Sequence, residues 1–131
     1  MQKIIIVGAG LCGTLLAMRM AQSGYEVVVY ERYSDMRKGV ADAGRSINLA
    51  LSARGLKSLE AAGIKSAILE ECIPMRGRMV HPLGGESFLS LYSGREEDYI
   101  NSVSRPGLNL ALIEEADKFD NLTLHFECKV G

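Results

Sequence analysis

Three glycines open the chemistry of this chain: Gly8, Gly10 and Gly13, spaced as GxGxxG, with the carboxylate of Glu31 following 18 positions after the last of them. Each glycine has a separate task. The first permits a tight turn, the second lets backbone approach a pyrophosphate, and the third lets a helix and a strand pack closely. A helix starting inside the motif offers unpaired N–H groups and positive potential to an anion. Glu31 is spaced to accept hydrogen bonds from a ribose diol. Ala17, Met20, Gly24 and Val27 extend the match to a longer dinucleotide-binding fingerprint, with Met20 where leucine is usual. A glycine turn that binds nothing would not need so many matching positions, although the fingerprint does not separate FAD from NAD.

The other chemistry-bearing residues are less specific. Arg76, Arg78 and Arg95 are candidates for pairing with a carboxylate, because a guanidinium does so bidentately. Strand alternation puts Arg76 and Arg78 on one face, so spacing does not choose between them. Tyr92 reads by itself as a sheet aromatic. His81 and His125 stand alone in sequence, and Cys12, Cys72 and Cys128 form neither CxxC nor a zinc-ligand spacing. No metal is expected. Cys12 reads as a helix-start packing residue rather than a redox centre. No Ser/His/Asp pattern is visible, so no catalytic side chain is assigned.

The motif needs a strand before it and a helix after it, and the flanking pattern supplies both. Lys3–Val7 is a β-branched run that reads as a strand buried on both faces, residues 14–23 as a helix stopped by Gly24, and Glu26–Tyr30 as a second buried strand. Strand, turn, helix and strand make a βαβ unit. Residues 32–44 read as a loop and 46–51 as a short strand; 52–62 form a helix capped by Ser52 and stopped by Gly63, with a second short helix over 65–71. Strand-like pieces follow at 75–81, 87–92 and 99–103. A helix opens at Ser104 or Arg105 with Pro106 in its first turn, Asp120-Asn121 turns the chain, and 122–130 form a last strand. The expected fold class is α/β: a Rossmann-like, doubly wound parallel sheet with the start of a β-rich substrate layer. Residues 1–72 and 104–131 would form the nucleotide-binding part and 73–103 a β-rich excursion towards the substrate.

The 131 residues are one domain's worth of chain, with 47% hydrophobic and 24% charged residues, far from a disordered composition. Fifteen Lys and Arg against sixteen Asp and Glu leave no field that would draw the chain to nucleic acid or acidic membranes. The uncharged run from Ile4 to Met18 is shorter than the roughly 18 or more apolar residues of a membrane span. Three widely spaced cysteines favour a reducing compartment such as the cytoplasm. With 14 glycines in 131 residues, the glycine share stands above the average of about 7%, and several belong to the motif.

A second constellation is narrower than the first. Gly44-Arg45-Ser46-Ile47-Asn48-Leu49-Ala50-Leu51-Ser52 is followed by Arg54-Gly55, then by Ile73-Pro74-Met75-Arg76-Gly77-Arg78-Met79-Val80-His81, and later by Tyr92, Ser102-Val103-Ser104-Arg105 and Leu108-Asn109. In these strings the chain resembles the kynurenine 3-monooxygenases, a family of flavoprotein aromatic hydroxylases, along essentially its whole length. The resemblance implies FAD as cofactor, with Gly8, Gly10, Leu11, Cys12 and Gly13 along the pyrophosphate and Tyr30, Glu31, Arg32 and Tyr33 at the adenosine ribose. It further implies Ala50 beside the flavin, Arg105 at the ribityl and phosphate region, and Val130 near the adenine. The family often has an arginine two positions after the acid; here Tyr33 stands there, with Arg32 one position early. Arg78 and Tyr92 match the family's ligands for the kynurenine carboxylate.

The implied activity is hydroxylation of L-kynurenine to 3-hydroxykynurenine in tryptophan degradation, with NADPH and dioxygen consumed. By the same resemblance the chain is expected to be an N-terminal fragment, inactive alone, with no membrane segment. Three rival readings are distinguishable. Another aromatic hydroxylase with a substrate lacking an amino-acid carboxylate would not need Arg78 and Tyr92. A non-catalytic nucleotide-binding fragment would hold FAD weakly or not at all. An NAD-dependent Rossmann dehydrogenase would show its catalytic apparatus after Glu31, and nothing there resembles one.

Overall fold

The computed structural model describes residues 1–39, 48–95 and 99–131. The first four positions of the 44–52 string therefore lie outside the described residues, as does residue 46–47 of the expected strand. Strand β1 (Lys3–Val7), helix α1 (Leu11–Gln22) and strand β2 (Glu26–Tyr30) form the expected βαβ unit. After a short 3-10 turn (Met36–Lys38) come β3 (Asn48–Leu51), α2 (Ala53–Ala61), α3 (Lys65–Leu69), β4 (Ile73–Met75), β5 (Gly77–Val80), β6 (Phe88–Leu91), β7 (Ile100–Ser104), α4 (Arg105–Ala116) and β8 (Leu122–His125).

Among the described residues the strands form three sheets. The first is parallel, in the order β1-β2-β8, with Val29 opposite both Ile6 and Leu124. The second is antiparallel, β3-β7-β4, with Ala50 opposite Ser102. The third is the β5-β6 hairpin, with Arg78 opposite Ser90. Helix α1 packs on all three strands of the parallel sheet, and α4 packs beside it against α1 and β7. The core there holds Met18, Val27, Val29, Leu112 and Ala116, all 2% exposed or less, and Leu59, Ile64 and Ile68 extend it through α2 and α3.

The structure departs from the sequence expectations at several ends. Helix α1 begins at Leu11, three residues earlier than its apolar spacing suggests, because the glycine turn itself feeds the first helical turn. Strand β2 is buried on both faces, but β1 is not: Ile6 is covered while Ile5 and Val7 are 61% and 65% exposed. The expected last strand stops at His125, although Glu127 and Cys128 still donate backbone hydrogen bonds to the carbonyls of Tyr33 and Glu31. Ser52 sits at the start of α2 without a side-chain cap bond, whereas Ser104 caps α4 by accepting from the Gly107 N–H. Asn121 fastens the turn before β8 by donating to the carbonyls of Ala21 and Tyr25.

Candidate dinucleotide site

A cleft of about 860 Å³ opens where β1 and β2 end, bounded by residues 7–10 and 30–34, by Met36, by Asn109 and Ile113 of α4, and by Phe126 and residues 128–130. The glycine turn forms its floor. Gly8 has φ +102°, a region costly for any residue with a Cβ, and its N–H donates to the Tyr30 carbonyl across the strands. At Gly10 a Cβ would meet nothing within 4 Å, so that backbone stands bare to the cleft. At Gly13 a Cβ would overlap the Gly8 carbonyl oxygen and reach within 3.6 Å of Ile6. The third glycine thus allows the close helix-to-strand approach that the motif demands. Helix geometry leaves the first N–H groups of α1 without intrahelical acceptors, at Leu11, Cys12 and Gly13.

Glu31 ties the two halves of the motif together. One carboxylate oxygen accepts from the Ala9 N–H at 2.7 Å and the other from the Tyr33 N–H at 3.0 Å. The acid is therefore held at the lip of the turn, where a ribose diol beside a pyrophosphate would lie. Next to it the early arginine finds a use: Arg32 lies 4.6 Å from the centre of the Tyr33 ring and donates to its hydroxyl at 2.7 Å. Tyr30 stacks on His125 with ring centres 5.3 Å apart.

Of the residues expected at the cofactor, Gly8, Gly10, Tyr30, Glu31, Arg32, Tyr33 and Val130 line this cleft, and Leu11, Cys12 and Gly13 form the first turn of α1 beside it. Ala50 and Arg105 do not line it. Ala50 lies in β3, which pairs with β7, and β7 runs directly into α4 at Arg105. Arg105 stands one helical turn before Asn109, on the line that continues from the cleft. Arg78 and Tyr92 lie elsewhere, on or beside the exposed β5-β6 hairpin. There the alternation reasoning gains detail. The Tyr92 N–H donates to the Arg76 carbonyl at 3.0 Å, so Arg76 is directly across from Tyr92 and Arg78, opposite Ser90, is two pairs further along. Arg76 already stacks over Tyr99 at 5.5 Å, while Arg78 has no ion pair among the described residues.

Sequence reasoning did not single out Ser34, Met36, Asn109, Ile113, Phe126, Cys128 or Lys129 as parts of the cleft. A signal existed only for Asn109 and Ile113, which follow Arg105 at four-residue intervals and so share its face of α4. Among the described residues no group of three His, Cys, Asp or Glu side chains is placed to hold a metal ion. No helix there is long and apolar enough to cross a membrane.

A bare glycine turn at a helix N-terminus, with a carboxylate fixed beside it at the end of the second strand, defines a dinucleotide-binding domain of the flavoprotein kind. The chain belongs to the FAD-binding domain family, which matches residues 1–130. Within that class it is 42% identical over 130 residues to the kynurenine 3-monooxygenase of Legionella pneumophila (strain Corby), a match covering 99% of this chain and 29% of that protein. The solved p-nitrophenol 4-monooxygenase of Pseudomonas putida DLL-E4 shares the fold, with a TM-score of 0.74 at 20% identity over 97% of this chain and 33% of that one. PqsL of Pseudomonas aeruginosa, solved in complex with 2-aminobenzoylacetate, matches with a TM-score of 0.64 at 26% identity, over 96% of this chain and 33% of that one. The chain therefore spans about 29% of the length of the curated relatives it matches.

The residues present fit FAD. The cleft has the size of a drug-like ligand site, its floor offers backbone donors to an anion, and its lip offers a carboxylate to hydroxyl groups. One polar atom in its wall, Asn109 Oδ1, is buried without a protein partner.

Proposed function

We propose that this chain is the FAD-binding portion of a monooxygenase that hydroxylates L-kynurenine to 3-hydroxykynurenine, a step of tryptophan degradation, using NADPH and dioxygen. The observation that carries this reading is the 42% identity over 130 residues, 99% of this chain, to a kynurenine 3-monooxygenase. The 2-aminobenzoylacetate bound to PqsL adds support. Like kynurenine, it joins an ortho-amino aromatic ketone to a carboxylate.

Bound FAD would supply the redox chemistry and the activation of oxygen. This chain's residues would bind and orient. Gly8, Gly10, Leu11, Cys12 and Gly13 receive the pyrophosphate on backbone donors. Glu31, with Tyr30, Arg32 and Tyr33, receives the adenosine ribose, and Val130 lies by the adenine. Ala50 and Arg105, across the β3-β7 pair, face the flavin end. Arg78 pairs with the substrate carboxylate and Tyr92 adds a phenolic donor; Arg76, held over Tyr99, is the less available guanidinium. Residues 1–72 with 104–131 serve as the nucleotide-binding part and 73–103 as the substrate-side excursion. The widely spaced cysteines, none in a disulfide, suit a cytoplasmic setting.

The test is made on the full-length protein. It should purify yellow, oxidise NADPH faster when L-kynurenine is added, and release 3-hydroxykynurenine. NADPH oxidation indifferent to kynurenine sinks the substrate assignment, and a colourless protein that takes up no added FAD sinks the flavin assignment.

A further inference from the structure

Behind the cleft wall sits a guanidinium that the reading above leaves unused. Asp35 caps the 3-10 turn by accepting from the Arg37 N–H at 3.0 Å, and its carboxylate also receives Arg37 Nε at 3.0 Å and Nη2 at 2.7 Å. The other arm, Nη1, reaches Asp117 Oδ2 at the end of α4 at 2.7 Å. The same guanidinium lies 5.8 Å from the Phe126 ring. One residue thus joins the segment after β2 to α4 and to the stretch after β8. That segment supplies Tyr33, Ser34 and Met36 to the cleft, and Phe126 faces them, yet Arg37 itself does not line it.

We propose that Arg37 is a positioning residue for the dinucleotide: its clamp between Asp35 and Asp117 holds residues 33–38 as the outer wall of the cleft and so sets affinity for the adenosine end. The physical case rests on burial and fork geometry. Exposed ion pairs contribute little, but the Asp35 side chain is only 8% exposed and is gripped bidentately. The Asp117 side chain is 59% exposed and steadies the arrangement from outside. A wall fixed before binding spares the ligand the cost of ordering it. The glycine turn, by contrast, is held by β1, α1 and Glu31 and does not depend on the clamp.

This inference rests on the dinucleotide reading, and ADP and inorganic pyrophosphate separate the two. The parent protein, freed of flavin, is expected to bind both; binding neither overturns the dinucleotide reading itself. Arg37→Ala should weaken ADP about tenfold, the equivalent of about 1.4 kcal/mol, while pyrophosphate affinity stays unchanged. Arg37→Lys, which restores one charged contact, should recover part of the loss. Trypsin should also cleave after Lys38 faster in the unliganded Arg37→Ala protein. If Arg37→Ala does not fold, Asp117→Asn at the exposed end of α4 serves instead, with ADP weakened about two- to threefold. Unchanged ADP affinity in a folded variant, or equal losses for ADP and pyrophosphate, would overturn the proposal.

Discussion

The cleft at the end of β1 and β2 and the β5-β6 hairpin are built on opposite principles. Around the cleft the turn and its acid are pinned by the fold, Gly8 by the Tyr30 carbonyl and Glu31 by the Ala9 and Tyr33 N–H groups, and Arg37 behind the wall is gripped by two carboxylates. Ala9 and Ile113 in its wall are 2% and 1% exposed. On the hairpin no residue from 77 to 92 is buried, and one face presents Met79, Leu89 and Leu91, each more than half exposed. The difference separates a site that is preorganised by local structure from one whose geometry depends on few contacts. A region with little buried apolar surface opens locally at low free energy. On the function proposed above, nucleotide and substrate would be bound by parts of very different stiffness.

The strongest way to break this contrast is to make the same steric insult in both places. A Cβ at Gly13 would overlap the Gly8 carbonyl, and a Cβ at Gly77 would overlap the Ser90 carbonyl. Gly13→Ala should cost about 1–3 kcal/mol of stability, the usual range for overpacking, and should abolish retention of FAD. Gly77→Ala should shift Tm much less and leave FAD bound, since the hairpin can splay without disturbing the core. Thermal melts and flavin absorbance on the two variants decide the matter; equal losses would mean that the hairpin is as integral to the fold as the glycine turn. Next in size is Arg78→Ala in the full-length enzyme. Losing a charge-assisted carboxylate contact costs about 1.5–3 kcal/mol, so the KM for kynurenine should rise at least tenfold with FAD still bound. Loss of flavin instead would contradict the role assigned to Arg78.

The same contrast governs what was legible in the sequence. The glycine motif could be read because each of its constraints is local: Gly8 at φ +102°, the Gly13 approach and the Glu31 spacing all lie within one βαβ unit. The far wall of the cleft could not. Met36, Asn109 and Phe126 are brought together by α4 and β8, which follow long after the motif in the chain, and nothing in their types announces a ligand. Strand β1 shows a different limit. Its run of Ile and Val reads as doubly buried, but the apolar pattern reports what a strand is suited to cover, not whether a second layer is present. Arg76 and Arg78 are equivalent by alternation; the family resemblance points to Arg78, and in the structure the register with Tyr92 and the stack on Tyr99 set the two apart.

Glu31→Gln sharpens the comparison from the rigid side. The amide oxygen can still accept from one of the two N–H groups that the carboxylate holds, but not from both, and the charge-assisted strength is lost. FAD affinity should fall about tenfold by fluorescence titration, with Tm nearly unchanged and the kynurenine KM at saturating FAD unaffected. A change in KM would show that the cleft and the hairpin are not independent.

The smallest expected effect is a pH dependence, and its sign follows from Asp35. The Arg37 side chain hydrogen-bonded to this carboxylate holds its pKa below the ordinary aspartate value, outweighing the opposing effect of burial, with the Arg37 backbone N–H adding to the depression. A depressed folded-state pKa means that the stabilisation is complete above the unfolded-state value and is lost as pH falls through the folded one. At neutral pH the clamp is therefore fully formed. On acidification it should fail only below the ordinary carboxylate range, after exposed acids have already titrated. Because Asp35 ionises again as soon as the pH is returned to neutral, trypsin pulses at neutral pH would not report the acid step; amide exchange read directly at acid pH does. Protection of residues 35–38, taken relative to the unstructured exchange rate at each pH, should fall through that acid step in the parent protein. In Asp35→Asn the same amides should show little protection at any pH, while the protection of β5 and β6 follows one unchanged profile in both proteins.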